Sequence, residues 1–351
     1  MPTVLWWGRF DAEYSRNRIV RKLLRELGWR IVDFHPRFSR LADWEARLKR
    51  LPRPELVWVP CFRQRDLAAA SRWARARQVP LLFDPLISAY DKLVFEREKA
   101  PEGSARAMKT LKHERDLFQR ADIVLADTRE HARFFGETLG VQTRRLHVVP
   151  VGAEEALFQP AHAPESHVGE PLEVLFFGSF IPLQGTAMII EAARRYQGPP
   201  LRWTLIGAGP ELAARRKAAA DLPNVCFEPW VDYPALPARI HRADILLGVF
   251  GGTQKAGRVI PNKVFQALAC GKPLVTRRAA AYPDELADAA GKGIVWVPAG
   301  DAAALANALA ELAANPRGLA EMGRQARATF DGYFSEAAIK SDLAEALRTL
   351  G

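Results

Sequence analysis

The sequence predicts an α/β protein of two domains, each built on a doubly wound parallel sheet. The chain has 351 residues, more than one hydrophobic core usually serves, so two domains are the natural expectation. Short apolar runs alternate with amphipathic stretches along its length, which is the pattern of βα units with helices on both faces of a sheet. Such sheets bind ligands beyond the carboxyl ends of their strands. We therefore expect the functional site in a cleft between two facing sheets.

Apolar runs of strand length occur six times in each half of the chain. In the first half they are Val4–Trp7, Arg30–Phe34, Leu56–Val59, Leu81–Phe83, Ile123–Ala126 and Leu146–Val149. In the second half they are Leu172–Phe177, Leu201–Ile206, Val225–Phe227, Ile245–Val249, Pro273–Thr276 and Gly293–Val297. Between the first two runs, residues 16–27 are apolar at the helical period, and Gly28 stands where a helix stops.

A polar, proline-containing stretch at residues 159–171 separates the two series of runs. Residues of this kind mark turns and linkers. The predicted domains are therefore residues 1–160 and residues 171–330. A helix within residues 331–351 is expected to pack back on the first domain.

The excess of positive charge lies in the first half of the chain. Residues 1–150 contain 30 Lys and Arg against 19 Asp and Glu, whereas residues 151–351 contain 20 against 21. Three groups have helical spacing: Arg16, Arg18, Arg21, Lys22 and Arg25; Arg63, Arg65, Arg72, Arg75 and Arg77; Arg106, Lys109, Lys112 and Arg115. Each group alone is typical of a solvated helix face. Together they also suit an anionic membrane, where each cation contributes about 1 kcal/mol. Nucleic acid is not expected as a partner, because no recognition motif accompanies the charge.

The N-terminus and the cysteines indicate a cytoplasmic protein. Residues 1–9 lack a basic segment, and their apolar run is too short for a secretion signal or a membrane span. Cys61, Cys226 and Cys270 are an odd count at no metal-ligand spacing, which predicts reduced thiols in the core. The basic first domain adds peripheral association with the inner face of the cell membrane as an alternative.

The segment 251–273 has the features of an anion site. It follows a buried strand, runs through a glycine-rich loop and enters a helix near Asn262, a residue type favoured at N-caps. Free amide groups of the first helical turn, the helix dipole and the cations Arg258 and Lys263 together favour a diphosphate. An ordinary junction between a loop and a helix has the same features, so the segment alone leaves both interpretations open.

The segment also resembles the donor-binding motif of family-4 retaining glycosyltransferases of the GT-B fold, in which two Rossmann-like domains face each other across a cleft. Residues 177–185 (FGSFIPLQG) take the place of the family's first strand-loop, and residues 205–210 (LIGAGP) that of its glycine turn. Residues 266–273 (QALACGKP) are similar to its EAMAxGxP segment. Residues 121–128 (ADIVLADT) and 148–152 (VVPVG) match two segments of the family's first domain.

The resemblance implies a set of donor-binding residues, and four of its positions depart from the family pattern. The implied residues are Gly178, Ser179, Gln184, Gly207, Gly209, Trp230, Gly251, Gly252, Arg258, Pro261, Asn262, Lys263 and Gln266. The two acids of the family's E-x7-E motif are replaced by Arg258 and Gln266, and its diphosphate-clamping Arg and Lys by Ser179 and Gln184. We therefore expect that the clamp has moved to Arg258 and Lys263, with sugar contacts from amides of residues 251–257. Trp230 could stack on a base, although core packing is the slightly better interpretation.

The acceptor side is predicted from residues that follow strands of the first half. The first βα turn supplies Arg9, Tyr14 and Arg16, and its lack of G-x-G-x-x-G argues against a dinucleotide-binding oxidoreductase. Asp84 is a candidate catalytic carboxylate, although a strand-ending turn explains Asp84-Pro85 equally well. Asp127 and Thr128 are further acceptor candidates. The histidines at positions 113 and 131 are interpreted as solvated or capping residues.

The resemblance implies hexosyl transfer, with retention, from a nucleotide diphosphate sugar to a glycan or lipid-linked acceptor, as in surface polysaccharide or lipopolysaccharide synthesis. Cations and amide dipoles stabilise the leaving diphosphate directly, so we expect no metal and no other cofactor. A nucleotide-sugar epimerase or phosphorylase on the same fold is one alternative. A non-catalytic binding protein is another, because both motif acids are missing.

Overall fold

The structure is a computed structural model that describes residues 1–161, 171–287 and 292–350. The chain forms two compact units: unit 1 comprises Met1–Gly152 with Glu336–Gly351, and unit 2 comprises Ala153–Ser335. Most of the predicted linker, residues 162–170, lies outside the described residues. Unit 1 ends at Gly152 rather than at residue 160, and the chain returns to it at Glu336.

Unit 1 contains six parallel strands in the order β2-β1-β3-β4-β5-β6. The elements are β1 (Thr3–Trp7), α1 (Ser15–Glu26), β2 (Arg30–Phe34), α2 (Ala42–Leu48), β3 (Leu56–Val59), α3 (Leu67–Arg75), β4 (Leu81–Phe83), α4 (Ala89–Asp91), α5 (Ala105–Phe118), β5 (Ile123–Ala126), α6 (Arg129–Glu137) and β6 (Leu146–Val148). A 3₁₀ turn, Ser39–Leu41, precedes α2.

Unit 2 also contains six parallel strands, in the order β12-β11-β10-β7-β8-β9. The elements are β7 (Leu172–Phe177), α7 (Thr186–Arg195), β8 (Leu201–Ile206), α8 (Leu212–Ala218), β9 (Val225–Glu228), α9 (Leu236–Arg242), β10 (Ile245–Leu247), α10 (Asn262–Ala269), β11 (Leu274–Arg277), α11 (Asp284–Ala287), β12 (Ile294–Val297), α12 (Ala302–Ala314) and α13 (Pro316–Tyr333). The last helix of the chain, α14 (Glu336–Arg348), belongs to unit 1.

The two sheets confirm the predicted α/β fold class. Every predicted strand forms. The central strands are apolar along their whole length because both of their faces are covered; all five residues of β1 are buried. Strand β10 ends at Leu247 rather than at Val249. Beyond it, the Val249 amide donates to the Thr276 hydroxyl at 3.2 Å, so a side chain takes the place of a ladder partner.

Each face of the unit 1 sheet has its own core. Trp7, Trp73 and Phe118 belong to the cluster on one face. Trp6 and Trp58 belong to the other cluster, which the α14 residues Ile339, Leu343 and Ala346 complete. The C-terminal helix is therefore part of the unit 1 core.

All three cysteines are free, and Cys61 and Cys270 are buried. Cys226 is exposed, so the prediction of a core thiol is wrong for this residue. It lies on β9, which is the outermost strand of its sheet. Within the described ranges, no helix combines the length and the hydropathy that crossing a membrane requires.

The first basic group is not an open cationic face. Arg16 is fully buried, and Arg21 forms a bidentate pair with Asp33, with nitrogen–oxygen distances of 2.6 and 2.9 Å. The prediction of a solvated face is therefore wrong for Arg16. By contrast, the basic side chains predicted on residues 106–115 are exposed along α5.

Candidate functional site

The strand order of unit 2 creates a switch point between β7 and β10. The chain continues from β7 to β8 on one side of this point and from β10 to β11 on the other. Crevices at such points bind ligands in open α/β sheets. The loops that follow these two strands touch here. A Cβ atom on Gly185 would lie 2.4 Å from the Gly251 amide nitrogen, and one on Gly251 would lie 2.3 Å from the Leu183 carbonyl oxygen. Two of the predicted glycine segments therefore meet, backbone to backbone.

The glycine turn after β8 packs against the same loop. A Cβ atom on Gly207 would lie 2.0 Å from the Gly178 carbonyl oxygen, and one on Gly209 would lie 2.6 Å from that of Phe180. Gly207 has φ +141° and Gly209 has φ +151°, a region that favours glycine. Only residues without a side chain allow this approach.

Helix α10 points its N-terminus at this edge of the sheet. Pro261 occupies the N-cap and Asn262 is the first helical residue, so the expectation that Asn262 is the cap is wrong. Proline fixes the entry angle of the chain but has no side-chain acceptor. No side chain of the described residues caps the first turn, a geometry that suits an anion.

Lys263 lies beneath the loop that follows β7. Its Nζ donates to Gln184 Oε1 at 2.6 Å and lies 3.6 Å from the centroid of the Phe176 ring. A Cβ atom on Gly178 would lie 2.9 Å from the same nitrogen. Lys263 is only 5% exposed, and burial holds the pKa of its ammonium group well below the usual range. The structure thus brings together Gly178, Gln184 and Lys263; the sequence reasoning missed Phe176.

Two arginines lie nearby, Arg258 on the loop before α10 and Arg277 at the end of β11. Arg258 is partly exposed and donates to Gln254 Oε1 at 3.1 Å. Arg277, which the sequence reasoning missed, donates to the carbonyl oxygens of Gly251 and Thr253. Burial lowers the pKa of Arg277. The sequence feature that could have identified Arg277 is its position directly after a predicted strand.

The remaining predicted donor residues occupy varied environments. Ser179 and Gly252 are exposed, whereas Gln266 is buried inside α10. Trp230 follows β9 and is 60% exposed, so the core-packing interpretation of this residue is wrong. An exposed indole next to the outermost strand is free to stack on a planar group.

In unit 1 the predicted acceptor residue Arg16 forms a buried ion pair with Asp84. Arg16 Nε lies 3.0 Å from Asp84 Oδ2, and Arg16 Nη1 donates to the carbonyl oxygens of Val149 at 2.8 Å and Pro150 at 2.6 Å. Burial raises the pKa of Asp84, against the opposing effect of the Arg16 charge. Arg16 and Asp84 therefore hold the carboxyl edge of this sheet together. Their assignments to acceptor binding and to catalysis stay predictions.

A second buried polar group lies after β5. Asp127 pairs with His131 Nδ1, and Asp91 Oδ2 lies 3.6 Å from His131 Nε2. Thr128 is the N-cap of α6 and accepts the His131 amide at 3.0 Å. His131 is fully buried, so its interpretation as a solvated residue is wrong. The sequence feature that could have indicated this pair is the spacing of four residues between Asp127, which precedes the N-cap of α6, and His131 in its first turn.

Arg9 and Tyr14, the other predicted acceptor residues, lie nearer the surface. Arg9 is exposed, and Tyr14 is half-buried. The Tyr14 ring packs edge-on against Phe62, with 5.0 Å between centroids. Both side chains are therefore more accessible than that of Arg16, which is fully buried.

Comparison with known families accounts for both units. The family model for "Glycosyl transferase 4-like domain" matches residues 6–152, and that for "Glycosyl transferases group 1" matches residues 171–315. The chain belongs to the GT-B glycosyltransferases. The fold of this glycosyltransferase is similar to that of Anabaena Alr3699/HepE in complex with UDP-glucose, with a TM-score of 0.72, 15% identity, and 99% and 100% of the two chains covered.

Two curated relatives of the glycosyltransferase act, by their names, on inositol-containing compounds. It is 30% identical over 221 residues to a D-inositol 3-phosphate glycosyltransferase of Acidothermus cellulolyticus, with 57% of this chain and 47% of the relative covered. It is 28% identical over 217 residues to a GDP-mannose-dependent alpha-(1-6)-phosphatidylinositol monomannoside mannosyltransferase of Mycolicibacterium smegmatis, with 58% and 56% covered. The alignments span about half the length of these relatives.

Proposed function

We propose that this chain transfers a sugar from a nucleotide diphosphate donor that binds to unit 2 at the switch point between β7 and β10. The observation that carries the proposal is the position of Lys263. Its ammonium group lies beneath a glycine loop, beside the uncapped first turn of α10, and has no acidic partner in the part of unit 2 that the structure describes.

A diphosphate would supply the missing negative charge. A desolvated lysine loses its proton readily unless an anion stabilises the charged form. A phosphate oxygen near Lys263 would raise the pKa that burial lowers. The protonated ammonium group would then stay next to the diphosphate, which is the leaving group. Negative charge develops on the diphosphate as the glycosidic bond breaks, so a preorganised cation and amide dipoles lower the barrier without any metal ion.

Arg258 is the second cation of the proposed clamp. It lies on the loop between β10 and α10, five positions before Lys263, and its side chain is partly exposed. We assign it to the outer phosphate and assign Gln266 to the ribose, because an amide both donates and accepts hydrogen bonds. The amides of residues 251–257 then remain for the hydroxyl groups of the sugar.

We further propose that transfer proceeds with retention to a glycan or lipid-linked acceptor at the cytoplasmic face of a membrane, as in surface polysaccharide or lipopolysaccharide synthesis. The name of the Mycolicibacterium smegmatis relative supports a lipid-linked acceptor, and the UDP-glucose complex of the Anabaena protein supports a nucleotide-sugar donor. The basic first domain supports the membrane location.

The test begins with calorimetry against UDP, GDP and dTDP, followed by donor turnover with the matching nucleotide sugar. Lys263→Ala and Arg258→Ala are each expected to reduce turnover by about a hundred- to a thousand-fold, the cost of removing one such donor. Turnover close to wild type in both variants would refute the moved clamp. Nucleotide binding without any turnover would favour a non-catalytic protein, and a converted donor in the absence of acceptor would favour an epimerase or phosphorylase.

A further inference from the structure

The segment around α2 turns its large apolar side chains outward. Phe38, Leu41, Trp44 and Leu48 are exposed, Trp44 by 61% and Leu48 by 82%. Spacings of three and four residues place Leu41, Trp44 and Leu48 on one side of this helical segment, and Phe38 immediately precedes its first turn. We call these four residues the α2 patch. The opposite side carries the small residues Ala42 and Ala46, which are buried. A surface helix of a globular protein normally shows the reverse orientation.

Positive charge is concentrated in the part of the chain that carries the α2 patch. Residues 37–53 contain six basic side chains, Arg37, Arg40, Arg47, Lys49, Arg50 and Arg53, against the acids Asp43 and Glu45, a net charge of +4. Asp43 is buried and paired with Arg72 at 2.7 Å, and Glu45 is bound by Lys49 at 2.8 Å. The outward charge is therefore almost entirely positive.

An aromatic side chain links the apolar and the cationic parts. The Arg47 guanidinium lies over the Trp44 ring, 5.5 Å from its centroid. Tryptophan prefers the interface between water and lipid, where its ring is partly buried and its N–H remains hydrated. Helices with an apolar face, a cationic border and an aromatic anchor lie in the plane of a bilayer surface.

We propose that the α2 patch docks unit 1 on an anionic lipid bilayer, with Trp44 and Leu48 inserted between headgroups and the surrounding cations over the phosphates. A second copy of the chain is a poorer occupant. A symmetric dimer would place the same patch on both partners and would set two cationic borders against each other, which like-charge repulsion disfavours. The proposal does not depend on the proposed transferase activity.

The test measures binding of the full chain to vesicles by flotation. We expect binding to vesicles of phosphatidylcholine and phosphatidylglycerol in equal parts and little binding to phosphatidylcholine alone. The double variant Trp44→Ser, Leu48→Ser is expected to weaken binding at least about tenfold. Arg40→Gln, Arg47→Gln is expected to weaken it about 25-fold, since each cation is worth about fivefold at the surface.

Unit 2 offers matched controls for both variants. Trp230→Ser removes a tryptophan of nearly equal exposure, and Arg216→Gln, Lys217→Gln removes two exposed cations of α8. Both should bind vesicles like the wild type. Emission from Trp44 should shift to the blue on binding, and Trp44→Phe should abolish most of that shift. Circular dichroism and thermal unfolding establish that each variant is folded.

Three results would overturn the proposal. They are equal binding to neutral and anionic vesicles, equal losses in the controls and the α2 variants, and a dimer in light scattering that the Trp44→Ser, Leu48→Ser variant dissociates. If the full chain binds anionic vesicles but binds no nucleoside diphosphate, the result would contradict the proposed function and leave the docking of the α2 patch intact.

Discussion

The contact between the two glycine loops of unit 2 can be tested by adding one methyl group. In Gly251→Ala the new Cβ would lie 2.3 Å from the Leu183 carbonyl oxygen and 2.6 Å from that of Pro182. Both obstacles are backbone atoms, so the loop must shift by about 0.7 Å to restore a 3.0 Å contact. Overpacking of this kind costs about 1–3 kcal/mol of stability.

The displaced loop is the one that carries Gln184, the partner of Lys263. A misplacement near 1 Å costs about a hundred-fold in rate when it alters the position of reacting groups. We therefore expect Gly251→Ala to lower donor turnover by about ten- to a hundred-fold. Its Tm should fall by about 2–4 °C for each kcal/mol lost, measured by scanning calorimetry.

The adjacent glycine provides the matched control. A Cβ atom on Gly252 would meet no atom of the described chain within 4 Å, so Gly252→Ala should keep the Tm of the wild type. An equal Tm in the two variants would refute the reasoning, because it would mean that the loops do not pack as closely as the backbone distances require.

Three further outcomes are expected. Gly207→Ala places a Cβ 2.0 Å from the Gly178 carbonyl oxygen and should lower the Tm more than Gly251→Ala does; an unchanged Tm would contradict the close contact. Asp84→Asn leaves the buried Arg16 guanidinium without its counter-charge and should lower the free energy of unfolding in urea by about 3–5 kcal/mol; a loss below 1 kcal/mol would show that the pair is hydrated. Burial lowers the pKa of Lys263, so between that pKa and about 10.4 the unfolded chain binds a proton that the folded chain lacks. The free energy of unfolding should therefore rise with pH across this window more steeply than in Lys263→Met, and parallel pH profiles would refute the shift.

The sheets could be predicted because parallel strands have a recognisable local sequence pattern. The central strands are buried on both faces, so their apolar runs are visible without knowledge of the partner strands. The same local signals indicated Gly178, Gly207 and Gly251 as a group. Their mutual contact came from the strand order, which places the carboxyl ends of β7, β8 and β10 side by side.

Contacts between residues far apart in the sequence have no local sequence pattern of this kind. Arg16 and Asp84 are separated by 68 positions, and their residue types suggested a surface cation and a catalytic acid. His131 resembles any helical histidine until β5 and α4 place Asp127 and Asp91 on either side of it. The apolar residues of the α2 patch would be expected in the core on hydrophobicity alone, and only the structure shows that they face outward.

The most direct test of the account is the number of protons exchanged when the nucleotide binds. Titration calorimetry of the matching nucleoside diphosphate in two buffers of different ionisation enthalpy should reveal proton uptake by the wild type, because the diphosphate raises the lowered pKa of Lys263. Lys263→Met should bind more weakly and take up fewer protons. Equal affinity and equal proton uptake in the two proteins would contradict the proposed role of Lys263 beneath the diphosphate.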